Sequence, residues 1–415
     1  YGATGNNASV GNYETLFLAS KLYYSSFGKG FGPDVVNELL SWEKTTEFNA
    51  GLDFGFLDGR ISGSLDWYTK TSKDLLMDQK LLLEQGTPDG KMTANVGKVR
   101  NQGIELMLKG VLFQTKDFYW DVTASFAKNK NEILELQGQK KDMRAQRWFI
   151  GQPIDVAYDL KQTGICTQAT ANEQVTINGV TKTKSEWYGY FEGCMTYEDI
   201  NKDGKIDDSD RQIIGQALPK WTGNLSTSLS YKNWDFSMTI NTKQGHTLYS
   251  PFMQEFTDYS DRGRTKLSMD FYIPEGAPVF NYSWDGKDYS SLTSDRTVVA
   301  DHTIVGSYPY PFNDANYNHG GGNGWYTGKN TEFKANNYVD ASYWKIKNIT
   351  VGYTFSKNLI KKVGIESLRI YANVLNPFTF TDYKGFDPEW ADAGISDGTG
   401  GPSSISYQIG LNVKF

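Results

Sequence analysis

The clearest pattern in the chain is a strict alternation of apolar and polar positions over its last residues, from Ser404 to Phe415. Successive side chains of a β-strand point to opposite faces, so the segment predicts a strand with one apolar and one polar face. A soluble sheet would bury the apolar face, whereas an outer-membrane barrel turns it toward lipid. The apolar positions are Ile405, Tyr407, Ile409, Leu411, Val413 and Phe415.

The same two-residue period recurs in pairs of segments that are joined by tight turns. In the clearest pair, residues 47–56 and 60–68 flank the turn Leu57-Asp58-Gly59, and an Asp-Gly step between alternating runs is a strong hairpin signal. A first strand is expected from about Asn12 to Tyr24, followed by the glycine-rich turn FGKGFGP. Further alternating runs cover residues 104–109, 119–126, 225–231, 234–240 and 368–374.

One segment, Tyr343 to Phe355, changes parity along its length. Its apolar residues are even-numbered up to Ile346 and odd-numbered from Ile349 onward. An extra residue inside one strand produces such a switch, so we predict a β-bulge near Lys347-Asn348. A break between two separate strands is the alternative.

The lengths of the connections alternate along the chain. They are short at 57–59, 113–117, 232–233 and 356–364, and long at about 25–42, 74–96, 166–218, 247–337 and 381–403. Outer-membrane barrels have short periplasmic turns and long extracellular loops. To maintain the alternation through 130–165, two short strands would meet at a turn near Gly151-Gln152-Pro153. We therefore predict an all-β, antiparallel transmembrane β-barrel with about twelve strands in this chain.

The polar face of the predicted strands carries more charge than a dry core tolerates, and a water-filled lumen accommodates such charge. On the opposite face, Trp120 and Trp234 lie beside short turns and Trp344 lies near the other rim, as aromatic girdles would place them. The charged residues of the polar face are Glu47, Asp53, Asp66, Glu105, Lys109, Asp121, Asp235 and Arg369.

Composition narrows the class of protein. The 415 residues have 39% hydrophobic content, a mean hydropathy of −0.53 and no apolar run near the ~18 residues of a membrane-spanning helix. Strand spanning remains open, because alternation dilutes hydrophobicity. The net charge of −6, without a basic stripe, argues against nucleic-acid binding. The chain starts at Tyr1 without a signal peptide, from which we expect a processed or partial chain.

The two cysteines, Cys166 and Cys194, fall in one predicted loop. In an oxidising compartment they are a candidate disulfide, and two unpaired thiols are the alternative on spacing alone.

The segment from Asp199 to Asp210 is similar to a calcium-binding loop. Oxygen-bearing residues recur at the spacing that wraps a hard cation, Gly204 permits the sharp bend, and Lys205 offers its carbonyl oxygen. Position 12 is Asp instead of Glu, and no clear helix precedes the loop. We predict a structural calcium ion in this loop, and a solvated turn is the alternative. The predicted ligands are Asp199, Asn201, Asp203, Lys205, Asp207 and Asp210.

Catalytic patterns are weak. The three histidines, His246, His302 and His319, have no spaced partner set, and no nucleophile elbow or phosphate-binding loop occurs, so we expect the chain not to be an enzyme. Exposed aromatic residues in the predicted loop 247–337 are candidates for stacking on sugar rings or contacting a partner, with packing of the loop on itself as the alternative. The candidate substrate-binding residues are Trp284, Trp325 and Tyr326.

Several strings, in order along nearly the whole chain, resemble the C-terminal part of the SusC/RagA-like TonB-dependent transporters of Bacteroidetes outer membranes. They are LLSWEKTTEFNAGLDFGFLDGRISGSLDWYTKTSKDLL, NVGKVRNQGIELMLKG, YEDINKDGKIDDSDRQIIG, YWKIKNITVGYTF and SLRIYANVLNPFTFTDYKGFDPE. The loops at 247–337 and 386–403 carry no such likeness.

This resemblance implies the C-terminal portion, residues 1–415, of a 22-stranded barrel plugged by an N-terminal domain. It implies energisation by the TonB complex, a SusD-like surface lipoprotein as a lid, and import of glycans or peptides. The plug and the remaining strands are expected outside this sequence, because no segment resembles them. The implied location is integral in the lipid of the cell outer membrane, with 166–218 and 247–337 as extracellular loops. The alternatives are a stand-alone passive porin-type barrel and a secreted calcium-dependent carbohydrate-binding β-module.

Overall fold

The structure is a computed structural model, and its strands and helices are numbered here in chain order. It describes residues 1–6, 19–24, 28–33, 40–80, 91–250, 271–276, 281–283, 293–295, 300–307, 338–360, 364–383, 385–389 and 403–415. One large antiparallel sheet dominates them. Its ten strands are β1 (Gly2–Asn6), β4 (Glu43–Phe56), β5 (Ile61–Lys80), β6 (Lys91–Gln114), β7 (Phe118–Glu135), β14 (Trp221–Tyr231), β15 (Trp234–Gln244), β20 (Tyr343–Thr354), β21 (Ser367–Thr381) and β22 (Ser406–Lys414).

The strands of this main sheet follow one another in chain order, each hydrogen-bonded to the next, and β1 and β22 form its two edges among the described residues. Turns join β4 to β5, β6 to β7, β14 to β15 and β20 to β21 at one end, and the other connections between strands of the sheet begin and end at the opposite end. The predicted alternation of short and long connections holds except at 74–96, where β5 continues to Lys80 and β6 begins at Lys91, so that the link 81–90 is no longer than the link 355–366 between β20 and β21. We call the two ends of the sheet the short-turn end and the long-connection end.

The register brings the apolar positions of all strands after β1 onto one face of the sheet. Leu65 lies between Leu52 and Leu106, Phe236 lies between Leu229 and Val351, and Ile370 lies between Tyr353 and Leu411.

Much of this apolar face is uncovered. Leu52 is 61% exposed, Leu411 59% and Ile409 85%. An apolar face of this extent that no part of the described chain covers is typical of a surface that contacts lipid or a partner.

The predicted β-bulge is confirmed. β20 is continuous from Tyr343 to Thr354, and its register with β15 passes from Asn348 to Ile346, so that Lys347 is the extra residue. Both halves of the strand therefore keep their apolar side chains on the same face of the sheet.

The predicted pair of barrel strands meeting near Gly151-Gln152-Pro153 is wrong. β7 pairs directly with β14, from Ala127 opposite Thr222 to Phe118 opposite Tyr231. A single excursion over residues 136–220 leaves and re-enters the sheet at its long-connection end, so the alternation needs no additional strands. The main sheet consequently has ten strands among the described residues, against the twelve expected.

The first predicted strand, Asn12 to Tyr24, is only partly as expected. Its residues 12–18 lie outside the described part of the chain, whereas β2 (Ala19–Tyr24) is a strand that pairs with β3 (Gly28–Pro33) apart from the main sheet. Most of the predicted glycine-rich turn is therefore a strand.

The excursion 136–220, which we call the insertion, has its own small fold and core. Its buried side chains include Leu160, Tyr190, Met195 and Tyr197, so the compact apolar core lies here and not between layers of the main sheet. The insertion consists of β8 (Val156–Leu160) paired with β13 (Arg211–Gln216), β9 (Gln162–Ile165) with β12 (Met195–Tyr197), β10 (Gln174–Ile177) with β11 (Val180–Thr183), the helices α1 (Gln168–Asn172) and α2 (Lys184–Tyr188), and 3-10 turns at Arg144–Gln146 and Asp208–Asp210.

The remaining described elements are short. β16 (Thr247–Tyr249) pairs with β19 (Tyr338–Asp340), β17 (Asn281–Ser283) pairs with β18 (Thr293–Asp295), and α3 spans Lys357–Ile360. Within the described ranges, no helix has the length and apolar content needed to cross a bilayer.

Candidate functional site: the polar face and the segments above it

The face of the main sheet opposite the apolar one is lined by hydroxyl, amide and charged side chains that bond to each other across strands. The Tyr68 hydroxyl donates to the Asn129 side chain at 3.0 Å. Asn224 donates to Asn241, and Thr350 donates to Asn373 at 3.0 Å. The polar side chains of this face can form hydrogen bonds with each other and with water, which suits the wall of a water-filled conduit.

An ion pair crosses three strands near the short-turn end of this polar face. The Arg369 guanidinium donates from Nε to Asp235 at 2.9 Å and also from Nη2, in a bidentate arrangement. The pair passes over Gly352, where an added Cβ would lie 2.5 Å from both partners. Arg369 also stacks on the ring of Tyr371 at 4.9 Å. The glycine thus makes room for a clasp that joins β15 to β21.

A cavity of about 620 Å³ opens on the polar face toward the long-connection end. Polar side chains from β5, β6, β7, β14 and β15 contribute to its wall, and Glu389 also lines it. Its polar lining includes Ser64, Asp66, Glu105, Ser125, Asn224, Asn241 and Lys243.

The segment 385–389 folds back over the polar face and is held there by two lysines of β20. Lys345 is fully buried and pairs with Asp387, and also with Glu389 at 2.8 Å. Lys347 binds the same Glu389 at 2.8 Å. We call these four side chains the lysine latch.

Electrostatics stabilise the ionised form of the latch carboxyls. Burial opposes ionisation of Asp387 and Glu389, but hydrogen bonds from Lys345, joined by Lys347 at Glu389, hold the pKa of each carboxyl below its usual range. The sequence analysis did not single out this latch. Its signal was the pair of lysines two positions apart at the parity switch, together with the acidic FDPE segment.

The predicted calcium loop lies in the insertion, with Gly204, Ile206 and Asp210 buried, Asp199 partly buried and its other residues exposed. Its carboxylates accept backbone N–H groups in a tight turn: Gly204 N donates to Asp199 at 3.0 Å and Ile200 N donates to Asp210 at 2.9 Å. Asp199 Oδ1 is buried and has no hydrogen-bond partner. Burial and the hydrogen bond to Asp199 raise the pKa of Tyr188 to about 12. Within the described part of the chain no group of three His, Cys, Asp or Glu side chains is arranged to hold a metal ion.

The two cysteines lie beside each other in the core of the insertion and are free thiols. Cys166 N donates to Cys194 O at 2.8 Å, so their strands are hydrogen-bonded neighbours. The contact between the two thiols lowers the pKa of Cys166 and, with burial, raises that of Cys194.

The histidines of the described chain form no catalytic group. His246 is buried, its Nδ1 has no hydrogen-bond partner, and burial lowers its pKa to about 4. His302 is exposed beside Asp301. His319 and the candidate substrate-binding residues Trp284, Trp325 and Tyr326 lie outside the described residues.

The chain belongs to the TonB dependent receptor-like, beta-barrel family, whose pattern matches residues 5–269. Proteins of this family are outer-membrane receptors, not enzymes, which agrees with the expectation that the chain is not an enzyme. The predicted resemblance to SusC/RagA-like transporters and the predicted antiparallel barrel fold are confirmed by the relatives described next.

The chain is 28% identical to the TonB-dependent receptor SusC of Bacteroides thetaiotaomicron, over 98% of this chain and 35% of that protein. It is 27% identical to the TonB-dependent receptor P39 of Formosa agariphila, over 100% of this chain and 40% of that protein. The chain thus spans about two fifths or less of these relatives. A solved structure of the RagAB peptide importer in its open-open state superposes with a TM-score of 0.66 at 24% identity, covering 100% of this chain and 39% of that one.

Proposed function

We propose that the protein to which this chain belongs imports a bulky nutrient, an oligosaccharide or a peptide, across the outer membrane. The observation that carries the proposal is the two-faced main sheet, with an uncovered apolar face and a hydrated polar face on a chain of the TonB-dependent receptor family. In this arrangement the chain is integral in the outer membrane, and the apolar face contacts lipid.

The orientation follows from the connections. Short turns are periplasmic and long connections extracellular in barrels of this kind. The insertion, the segment 385–389 and the chain between β15 and β20 then lie outside the cell, where a SusD-like lipoprotein would cap them. Energy would come from the TonB complex through the remainder of the protein, which would also supply the plug and the missing strands.

A growth experiment tests import. A strain that lacks the transporter is compared with its parent on defined oligosaccharides and on defined peptides as sole nutrient. Loss of growth on one class supports import and names the class, whereas an unchanged profile contradicts it.

A second arm separates active import from a passive porin-type barrel. Deletion of TonB abolishes energised uptake through this protein and leaves passive diffusion intact. Uptake that persists without TonB would support the porin.

Substrate contact by the aromatic residues Trp284, Trp325 and Tyr326 is part of the same proposal. Alanine at each position is expected to weaken substrate affinity while leaving the barrel folded. Unchanged uptake in the triple variant would remove these residues from the site.

We also infer a structural calcium ion at Asp199–Asp210. Its support is the tight Asx-type turn, the buried Asp210 and the unpaired buried oxygen of Asp199, which a hard cation would satisfy. Asp199, Asp203, Asp207 and Asp210 would offer carboxylates, Asn201 its amide oxygen and Lys205 its carbonyl. Chelation should raise protease cleavage of the insertion in the natural protein and change nothing further in Asp199→Asn/Asp203→Asn. Equal cleavage with and without chelator in the natural protein would contradict the site.

A further inference from the structure

Six basic side chains form a continuous group on the outward, apolar face of the main sheet, at its long-connection end. They belong to the four neighbouring strands β4 to β7 and stand above the apolar residues of those strands. Lys44 is an even position of β4, like Phe48 and Leu52, and Arg100 is an even position of β6, like Ile104, so these basic and apolar side chains share one face of the sheet. The members of this basic band are Lys44, Lys73, Lys98, Arg100, Lys128 and Lys130.

The register sets like charges directly opposite each other in this band. Lys73 lies between Lys44 on one neighbouring strand and Lys98 on the other. Like charges directly opposite in a sheet are destabilising, because their Cβ atoms are only about 5 Å apart. A bound anion would relieve the repulsion within this row of three lysines.

The carboxylates of the band neutralise only part of it. Lys44 reaches Asp74 at 3.4 Å, and Glu132 is shared by Arg100, at 2.6 Å, and Lys130. Within the described ranges no carboxylate forms an ion pair with Lys73, Lys98 or Lys128, although Glu135 is opposite Lys98 in the register. Among the described residues, three cations toward the long-connection end of the apolar surface therefore have no carboxylate partner.

The band is local. On three of the strands beyond β7, the outward residue nearest the long-connection end is aromatic: Trp221 on β14, Trp344 on β20 and Phe380 on β21. Aromatic residues suit the hydrocarbon boundary in general, whereas lysines recruit negatively charged headgroups. The band runs diagonally across four strands about 4.8 Å apart, and Lys128 is opposite Ile104, six residues along β6 from Lys98, so the cations spread over at least roughly 20 Å, wider than a single phosphate.

We propose that the basic band binds the phosphorylated sugar headgroup of a glycolipid in the outer leaflet, of the lipopolysaccharide class. The lysines would bind the phosphates while the acyl chains lie along the apolar residues below. This inference rests on the membrane placement proposed above, and it adds a lipid-binding site that lies outside the conduit.

The test uses the full-length transporter in nanodiscs of phosphatidylcholine, with phosphorylated lipid A as the probe and its binding measured by native mass spectrometry. Lys73→Ser/Lys98→Ser/Lys128→Ser should weaken lipid A binding by roughly 100-fold, from about 1 kcal/mol for each lysine near an anionic surface. The charge-preserving Arg triple variant should bind as the natural protein does. Lys109→Ser/Lys116→Ser/Lys140→Ser removes the same charge from the polar face, a short turn and the insertion, and should leave affinity unchanged.

Natural affinity in the Ser triple variant would overturn the proposal, and so would equal affinity for phosphatidylglycerol, which would assign the band to any anionic lipid. Heat-modifiable migration in a gel verifies the fold, and the single variants Lys73→Ser and Lys98→Ser give graded losses if the triple variant misfolds. Growth on the imported nutrient reports import separately. A failure of import leaves the lipid A measurement intact, and lost lipid binding leaves import active.

Discussion

At the scale of single residues, the polar face depends on glycines that sit under large side chains. Tyr371 lies across its register partner Gly410, where an added Cβ would be 2.2 Å from the ring carbon Cζ. Tyr68 covers Gly103 in the same way, at 2.7 Å. These aromatic rings cross the adjacent strand only because the strand has no side chain there.

We expect Gly410→Ala to destabilise the sheet by about 1–3 kcal/mol, the usual cost of overpacking. Urea unfolding of the full-length barrel in detergent measures this loss of stability. Gly55→Ala is the matched control, since an added Cβ there meets no atom closer than 3.9 Å. Tyr371→Ala combined with Gly410→Ala should recover most of the loss. If Gly410→Ala unfolds at the same urea concentration as Gly55→Ala, the contact is not restrictive.

Lys345 and Lys347 differ in burial, and we therefore expect them to contribute differently to the stability of the lysine latch. Lys345→Met strands the buried Asp387 carboxylate, which costs about 3–5 kcal/mol when one partner of a buried pair is removed. Lys347 is 32% exposed, and Lys347→Met should cost ~1 kcal/mol or less. The rate of proteolytic cleavage within 382–389 measures how far each variant releases the segment. Equal cleavage rates in the two variants would contradict a latch centred on Lys345.

At the scale of elements, the latch makes the segment after β21 sensitive to acid. Because the pKa of Asp387 and of Glu389 is lowered in the folded protein, their stabilising contribution is complete above the ordinary carboxyl pKa of about 4. It is lost as pH falls through the lowered values.

We therefore expect hydrogen exchange of 385–389 to accelerate as pH falls below about 4, after correction for intrinsic exchange. In Asp387→Asn/Glu389→Gln the segment should be released already at neutral pH and respond little to acid. A protected segment in that variant at neutral pH would contradict the assignment.

The insertion is the element in which the cysteines matter. We propose that Cys166 and Cys194 form a disulfide under oxidising conditions, since they are buried neighbours directly beside the paired strands β9 and β12. The bond would stabilise the insertion by roughly 3–4 kcal/mol in the chain-entropy model. Non-reducing peptide mapping detects it, and reductant should raise cleavage of the insertion. Cys166→Ser/Cys194→Ser is the control, in which reductant should have no effect.

Which elements could be predicted from the sequence depends on how local their signal is. The hairpin at Leu57-Asp58-Gly59 and the bulge at Lys347 follow from the alternation of apolar and polar residues within one short segment, and both were predicted. The pairing of β7 with β14 was not predicted, because the alternation of connection lengths was extended through 130–165 with two additional strands, whereas the residues after β7 leave the sheet and pair within the insertion.

The candidate site was predicted only in outline. The charged polar face, including Asp235 and Arg369, followed from parity, but the bond between these two residues depends on register across β20 and on the absence of a side chain at Gly352. The lysine latch could not be predicted, because its ion pairs depend on 385–389 folding back over the sheet, and the spacing of residues in the sequence does not show that fold.

At the scale of the whole molecule, β1 and β22 are edges with unpaired backbone groups among the described residues. Unpaired backbone groups are costly in lipid. We expect residues 1–415 expressed alone to give no heat-modifiable monomer in detergent, whereas the same residues within the full-length protein do. A stable, heat-modifiable monomer from the isolated chain would instead favour the stand-alone porin.

The direct ladder between β7 and β14 has a consequence for how such proteins diversify. The insertion begins after β7 and ends before β14, and these two strands are hydrogen-bonded to each other, with Ala127 opposite Thr222. The main sheet is therefore continuous beneath the insertion. Recombination could therefore exchange the entire excursion for another without disturbing the register below it. Grafting an unrelated compact domain between these strands is a practical route to new surface specificities on an unchanged membrane frame.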